Sequence, residues 1–246
     1  ACHMYLASEL LSAHLRPGRY GGDFDNRSRF LINSLLSAKA ATKTNFILTT
    51  RLNIYDGFPY PYGFGVGRDG SLDPDMTEPG MLLGKLNRGL GITLFNLSMG
   101  NPYVNPHITR PFNQGSYIPE EHPLYGISRI LNCTGELQKR LPDVNIVCSG
   151  LSYLRRFSVN AAAGMLEQGY SKLAGFGREA LAYPSFPREL KEEGFVQAKK
   201  CCLTCGKCTY LLRSKRATGC VLRDKEIYLP IYQETLKEEE KTWIKK

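Results

Sequence analysis

The sequence predicts an α/β fold of parallel strands covered by helices, and three observations predict it. Short apolar runs alternate with segments of helical periodicity over most of the chain. The composition is that of an ordinary globular protein, 42% hydrophobic and 22% charged over 246 residues, enough for one large domain or two small ones. No G-x-G-x-x-G follows any strand-like run, which argues against the dinucleotide-binding form of the open sheet. An open doubly wound sheet and a (β/α)8 barrel both accommodate the alternation, although four strands do not close a barrel.

Two helical stretches come first, near residues 5–11 and 29–38. Residues 46–52, F-I-L-T-T-R-L, read as the first strand, and 81–86 as a short helix. Residues 92–97, I-T-L-F-N-L, read as the second strand. A helix over 124–140 follows, with apolar positions at Leu124, Ile127, Ile130, Leu131 and Leu137. Residues 144–148, V-N-I-V-C, form the third strand, 153–168 a helix, 171–176 the fourth strand and 178–181 a short helix. After Pro187 the pattern changes to a cysteine-rich stretch and a charged tail. This divides the chain into a main domain of residues 1–190 and an appended module of residues 191–246, expected to have no core of its own.

The net charge of +9 is spread along the chain and broken by the acidic run Glu238–Glu240. No readout motif accompanies it, so no nucleic-acid partner is expected; a basic cleft also suits phosphorylated cofactors and anionic substrates. No apolar run is long enough to cross a bilayer, and the first residues carry neither a basic n-region nor a small-residue cleavage site. Neither a membrane anchor nor a signal peptide is therefore expected. Five of the eight cysteines crowd into residues 199–220, while Cys2, Cys133 and Cys148 are scattered. That distribution fits a reducing, cytoplasmic compartment better than a secreted disulfide scaffold.

Four of the crowded cysteines, Cys202, Cys205, Cys208 and Cys220, fit C-x2-C-x2-C-x11-C. Three closely spaced thiolates plus one further on suit a [4Fe–4S] cluster, in which each iron takes one thiolate. Zinc more often takes two separated pairs or a Cys/His set. Zinc and free thiols remain the alternatives. Cys201 is read as a spare, and Gly206 and Gly219 as positions that let backbone N–H groups face the sulfurs.

Several runs, in order, carry a resemblance. These are H-M-Y-L at residues 3–6, R-Y-G-G-D-F-D-N-R-S-R-F at 19–30 and T-R-L-N at 50–53. G-N-P-Y-V-N-P-H-I-T-R-P-F follows at 100–112, then V-C-S-G ending at Gly150 and G-F-G-R-E-A-L-A-Y-P at 175–184. The series resembles the Old Yellow Enzyme family of NADH:flavin oxidoreductases. The nearer branch contains 2,4-dienoyl-CoA reductase and trimethylamine dehydrogenase and carries a cysteine cluster behind its barrel. The resemblance implies the C-terminal half of a TIM (β/α)8 barrel, strands five to eight, followed by a Cys-rich cluster-binding segment. It places FMN at the carboxyl ends of the strands.

The resemblance also assigns roles. Tyr5 would protonate one carbon of an activated C=C bond while hydride arrives at the other. His3 would hold the substrate's acceptor oxygen and polarise the alkene; its usual companion would lie one residue before Ala1. Arg51, expected to be a buried charge, would face the N1/O2 side of the flavin. Ser149, Gly150, Gly177 and Arg178 would bind the flavin phosphate. His107 would contact substrate, with Asn96, Asn101 and Arg110 near it. The run Tyr20, Gly21, Gly22, Asn26 and Arg27 is expected to be structural, with Asn26 holding the turn or capping the next helix.

The function this implies is an FMN-dependent oxidoreductase. Hydride would pass from NAD(P)H through the flavin to an unsaturated carbonyl or thioester, with a [4Fe–4S] cluster relaying single electrons. A redox partner or a homo-oligomer would fit. The alternative is an iron–sulfur electron-transfer or subunit-interaction module with no catalytic activity of its own.

Overall fold

Four short strands lie side by side in chain order and all run parallel: β1 (Thr50–Asn53), β2 (Leu94–Ser98), β3 (Asn145–Ser149) and β4 (Leu173–Gly175). The structure, a computed structural model, describes residues 2–3, 5–43, 45–115 and 117–243. The strand order separates the two architectures open to the sequence. A doubly wound sheet reverses its order at a switch point, whereas barrel strands are laid down consecutively, each joined to the next by a crossover. The order here is the consecutive one.

Helices α1 (Leu6–Leu11) and α2 (Phe24–Ala41) precede β1, and α3 (Thr77–Leu90) joins β1 to β2. Helices α4 (Pro106–Thr109) and α5 (Pro123–Arg140) lie between β2 and β3. A 3-10 segment, Leu151–Phe157, runs into α6 (Ser158–Glu167) ahead of β4. Then come α7 (Arg178–Ala182), α8 (Phe186–Glu193), α9 (Lys207–Arg213) and α10 (Lys225–Trp243). Among the described residues no helix is long and apolar enough to cross a membrane.

Two compact units result. The first comprises Ala1–Pro111, Glu121–Gly150 and Ala161–Gly175, and the second Phe112–Glu120, Leu151–Asn160 and Phe176–Lys246.

In the first unit, register sets the chemistry of each sheet face. Leu52, Phe95, Leu97, Ile146 and Cys148 are buried in one core with Leu82, Leu83 and Leu86 of α3 and Ile130 and Leu137 of α5. Each such side chain taken out of water contributes about 1.5–3 kcal/mol. On the other face Arg51, Asn96 and Val147 stand in one row, and Asn53 pairs with Ser98 in the next. The polar residues of the strands are thus gathered on one side.

The glycine-rich run ahead of α2 builds a tight turn. A Cβ on Gly21 would stand 2.3 Å from the Arg16 carbonyl oxygen, and Gly22 has φ +77°. The cap, however, is Asp23, whose carboxylate accepts the Asn26 backbone N–H at 2.8 Å. Arg27 is buried at 1% exposure. It pairs with Glu78 at 2.6 Å, donates to the Gly22 carbonyl at 2.9 Å and also donates to the Leu11 carbonyl.

Several boundaries move for physical reasons. The first strand, read over 46–52, pairs only from Thr50, and Phe46 and Ile47 are exposed. The short helix at 81–86 fills out to Thr77–Leu90, since Pro79 is tolerated in a first turn and Gly91 supplies the left-handed stop. The helix read over 153–168 is broken at Arg155, where φ is +51°. The charged tail contains α10.

The second unit has a small apolar cluster of Tyr183, Phe186, Val196 and Cys201, flanked by Val159, Phe176 and Leu190. The segment after Pro187 therefore contributes buried side chains, contrary to the expectation that it had no core. Glu189 binds the cluster's polar edge together. Its carboxylate accepts from the Tyr183 hydroxyl, from Ser185 at 2.6 Å, from Lys200 at 2.8 Å and from Gln197 at 3.2 Å.

Candidate functional site

His3 is buried, and its Nδ1 lies 3.0 Å from the Gly100 carbonyl oxygen, just past β2. A carbonyl only accepts, so Nδ1 carries the proton. Nε2 of the neutral ring is then an acceptor, and it donates to a substrate oxygen only as imidazolium. Gly100, at φ +72°, lets the chain turn back; a Cβ there would meet Ile108 at 2.8 Å. Cys2 adjoins this pair. Burial raises its thiol, but the hydrogen bond with His3 and the positive charges of His3 and Arg51 outweigh burial and bring it down to about 7.

Tyr5 precedes α1 and is 65% exposed. Its phenol hydrogen-bonds with Tyr103, which holds its acidity below that of a free phenol. A phenol is protonated at neutral pH, as a proton donor must be.

Arg51 and Ser149 line one small cavity of about 10 Å³ with Ser98, Thr109 and Thr134 and with the core residues Ile54, Leu97 and Ile130. The Arg51 side chain is exposed, which corrects the expectation of a buried charge: it lies on an edge strand, on the face away from the helices. Among the described residues, Asn53 Oδ1, Asn96 Oδ1 and Thr109 Oγ1 are buried without a hydrogen-bond partner. Native proteins rarely leave such atoms unpaired. Asn53 and Asn96 stand on the Arg51 face of the sheet, and Thr109 lines the cavity with Arg51. These are the kinds of group that bind a flavin ring's polar edges, but at about 10 Å³ the cavity as it stands holds no more than a water. Gly150 follows β3 with φ +109°, and a Cβ there would stand 2.9 Å from Ile130.

Thr109 was not foreseen as a site residue, although it lies inside the N-P-H-I-T-R-P run. Its signal was position alone: a hydroxyl two residues past His107, at the end of α4. His107 itself is half-buried, and burial, aided by the Arg129 charge, pulls its imidazole below the usual range and keeps it neutral.

Gly177 and Arg178 belong to the second unit, where Gly177 precedes α7. Arg178 lines a cavity of about 20 Å³ together with Cys202, Cys205, Cys208, Cys220 and Arg223. Arg178 Nη1 is buried there without a partner. The Thr204 N–H points at Cys202 Sγ at 3.4 Å, from a residue with φ +53°. Gly206, φ +78°, opens α9. The Cys202 N–H is taken by Glu179 at 3.0 Å, and Arg223 donates to the Cys201 carbonyl at 2.8 Å.

All eight cysteines are free thiols. Burial pushes the Cys201 thiol up to about 11, and its sulfur faces the Gln197 carbonyl at 3.5 Å, which separates it from the other four. Among the described residues no group of three or more His, Cys, Asp or Glu is gathered tightly enough to hold a metal ion. Four thiols sharing one cavity are the donor type that an iron–sulfur cluster takes. The present volume of about 20 Å³ is room for a water, so a cluster does not fit between the thiols as they stand.

No family model matches the chain. NADH oxidase of Thermoanaerobacter brockii is 24% identical over 206 residues, covering 81% of this chain and 26% of the relative. A 2-naphthoyl-CoA reductase solved with 2-naphthoyl-CoA matches 89% of this chain and 29% of its own, with a TM-score of 0.63 and 18% identity. The 6-hydroxypseudooxynicotine amine oxidase of Pseudomonas geniculata N1 matches 90% of this chain and 29% of its own, with a TM-score of 0.61 and 18% identity. The chain thus spans 26% of the curated relative and 29% of each solved structure, and shares with those two structures an α/β fold built on a parallel sheet.

Proposed function

We propose that this chain forms the C-terminal part of the barrel of an FMN-dependent, Old Yellow Enzyme-like oxidoreductase that reduces an activated C=C bond in an enone or enoyl thioester. The observation that carries the reading is one small cavity shared by Arg51, Ser149 and the unpartnered Thr109 hydroxyl, with the Asn96 amide oxygen on the Arg51 face of the sheet. The relatives support it by their names, an NADH oxidase and a 2-naphthoyl-CoA reductase.

Bound FMN would supply hydride transfer between NAD(P)H and the substrate. Arg51 would place positive charge beside the pyrimidine edge of the ring. Ser149 and Gly150 would offer a hydroxyl and an approachable backbone. His3, held through Nδ1 by Gly100, would present Nε2 to the substrate oxygen, donating when the ring is charged. Tyr5 would give its proton to the substrate carbon, and the Tyr103 bond keeps that proton in place until then. His107 would contribute a neutral imidazole to substrate contact.

Cys202, Cys205, Cys208 and Cys220 would hold a [4Fe–4S] cluster. Their shared cavity, the Thr204 N–H aimed at Cys202 and the two arginines beside them support this; such donors and charges stabilise an anionic cluster.

Titration of FMN into the purified 246-residue chain, followed by quenching of flavin fluorescence, tests the reading. Saturable binding weakened tenfold or more by Arg51→Met is expected. Absence of FMN binding would overturn the flavin assignment and leave the non-catalytic iron–sulfur module.

A further inference from the structure

The loop that leaves β3 carries a feature the reading above does not use. The 3-10 segment Leu151–Phe157 breaks at Arg155, with φ +51° and ψ −124°. That backbone conformation strains any residue with a Cβ, and strain of this kind concentrates at ligand clamps. Beside it lies an open cavity of about 490 Å³ lined by Tyr153, Leu154, Arg155, Arg156, Phe157 and Ala198. Its size falls in the range of small-molecule sites.

The lining has two chemistries. Arg155 and Arg156 are exposed, and among the described residues neither is paired with a carboxylate. The Arg156 guanidinium lies 4.7 Å from the Phe157 ring centroid, so the ring pre-orients it. Phe157 is itself 57% exposed. Two adjacent guanidinium groups present planar N–H forks that match phosphate oxygens. An exposed ring beside them offers a face for a flat heterocycle. Stability does not require an arginine at the break, since glycine adopts this backbone without strain.

We infer that this cavity binds the adenosine phosphate end of an anionic ligand, with Arg155 and Arg156 on the phosphate and Phe157 and Tyr153 against the purine. Adenosine phosphate is shared by nicotinamide dinucleotides and by coenzyme A thioesters. The choice of that ligand class rests on the oxidoreductase reading, while the binding itself is measured without it.

Calorimetric titration of the 246-residue chain with adenosine 3′,5′-bisphosphate tests the inference, with inorganic phosphate as control. Saturable binding is expected, at least tenfold tighter than inorganic phosphate. Arg155→Gly and Arg156→Ala should each weaken it tenfold or more, and Phe157→Leu about fivefold. Arg155→Gly also removes the backbone strain, so it should melt at or above the parent temperature, and its loss of binding is then not misfolding. No bisphosphate binding, equal binding in the arginine variants, or phosphate binding as tightly as bisphosphate would each overturn the inference. Competition by NADPH or by acetyl-CoA identifies which carrier of the group the cavity prefers. FMN titration of the same sample reports on the flavin reading separately: nucleotide binding without FMN binding leaves this inference standing and sinks that one, and the reverse result sinks this one alone.

Discussion

The two units of this chain are held together by different means. The first relies on apolar burial under a sheet, reinforced by one buried ion pair, Arg27 with Glu78. The second has a four-residue buried cluster and a carboxylate, Glu189, that gathers four polar partners, next to four thiols that share a cavity. A unit with so small a core depends on its polar network and on any metal it acquires. Damage to apolar packing should therefore register mainly in the first unit, loss of metal mainly in the second, and acid and base in each with its own sign.

The largest effect expected is from Arg27→Met. It leaves the Leu11 and Gly22 carbonyls without their buried donor and the Glu78 carboxylate with only the exposed Arg68, and breaking a buried pair from one side costs up to about 3–5 kcal/mol. Urea unfolding should show an early transition, absent from the parent. Leu86→Ala, at a side chain with no exposure, should follow at about 2–5 kcal/mol with an unchanged m-value. If either change instead weakens the second unit most, the contrast between the units fails.

The second unit is best probed through its thiols. Anaerobic reconstitution with iron and sulfide should give about four irons per chain with a broad visible absorption, as a [4Fe–4S] cluster requires. Cys205→Ser should lower the iron retained by more than half, while Cys201→Ser should leave it within a tenth of the parent. One zinc per chain, or equal losses in both variants, would replace the cluster assignment.

The sequence disclosed these units unequally. Alternating apolar runs located all four strands, because burial of alternate residues leaves a periodic trace. Their consecutive order could not be read, since order depends on how crossovers pack. The fold around Glu189 was illegible for a related reason. Its partners Tyr183, Ser185, Gln197 and Lys200 have no shared spacing and meet only because α8 and the turn after it fold back. In the site, Arg51 was placed correctly on β1 but judged buried, because a strand's sequence does not say whether it is an edge. Thr109 was missed because an unsatisfied hydroxyl is a property of packing.

Acid and base should act on the units with opposite sign, and this is the subtlest way to distinguish them. Hydrogen bonds from Lys200, Ser185 and Tyr183 lower the Glu189 carboxyl from 4.5 to about 2. Its folded value lies below its unfolded one, so its contribution is complete above about 4.5 and is lost as pH falls toward 2. Asp56, just beyond β1, behaves the other way. Burial raises its carboxyl from 3.8 to about 7, although the Phe64 N–H at 2.9 Å and the Asn53 amide both favour the anion. Between those values the folded chain holds a proton that the unfolded chain has released. First-unit stability should then fall as pH rises from 3.8 to about 7 and level off above. Asp56→Asn, which cannot titrate, should flatten that slope and leave the acid transition of the second unit in place. Urea midpoints of both proteins from pH 2 to 8 measure both transitions. An unchanged slope in the variant would remove Asp56 as its cause, whereas a flattened slope with the acid transition intact would show that each unit carries its own pH dependence.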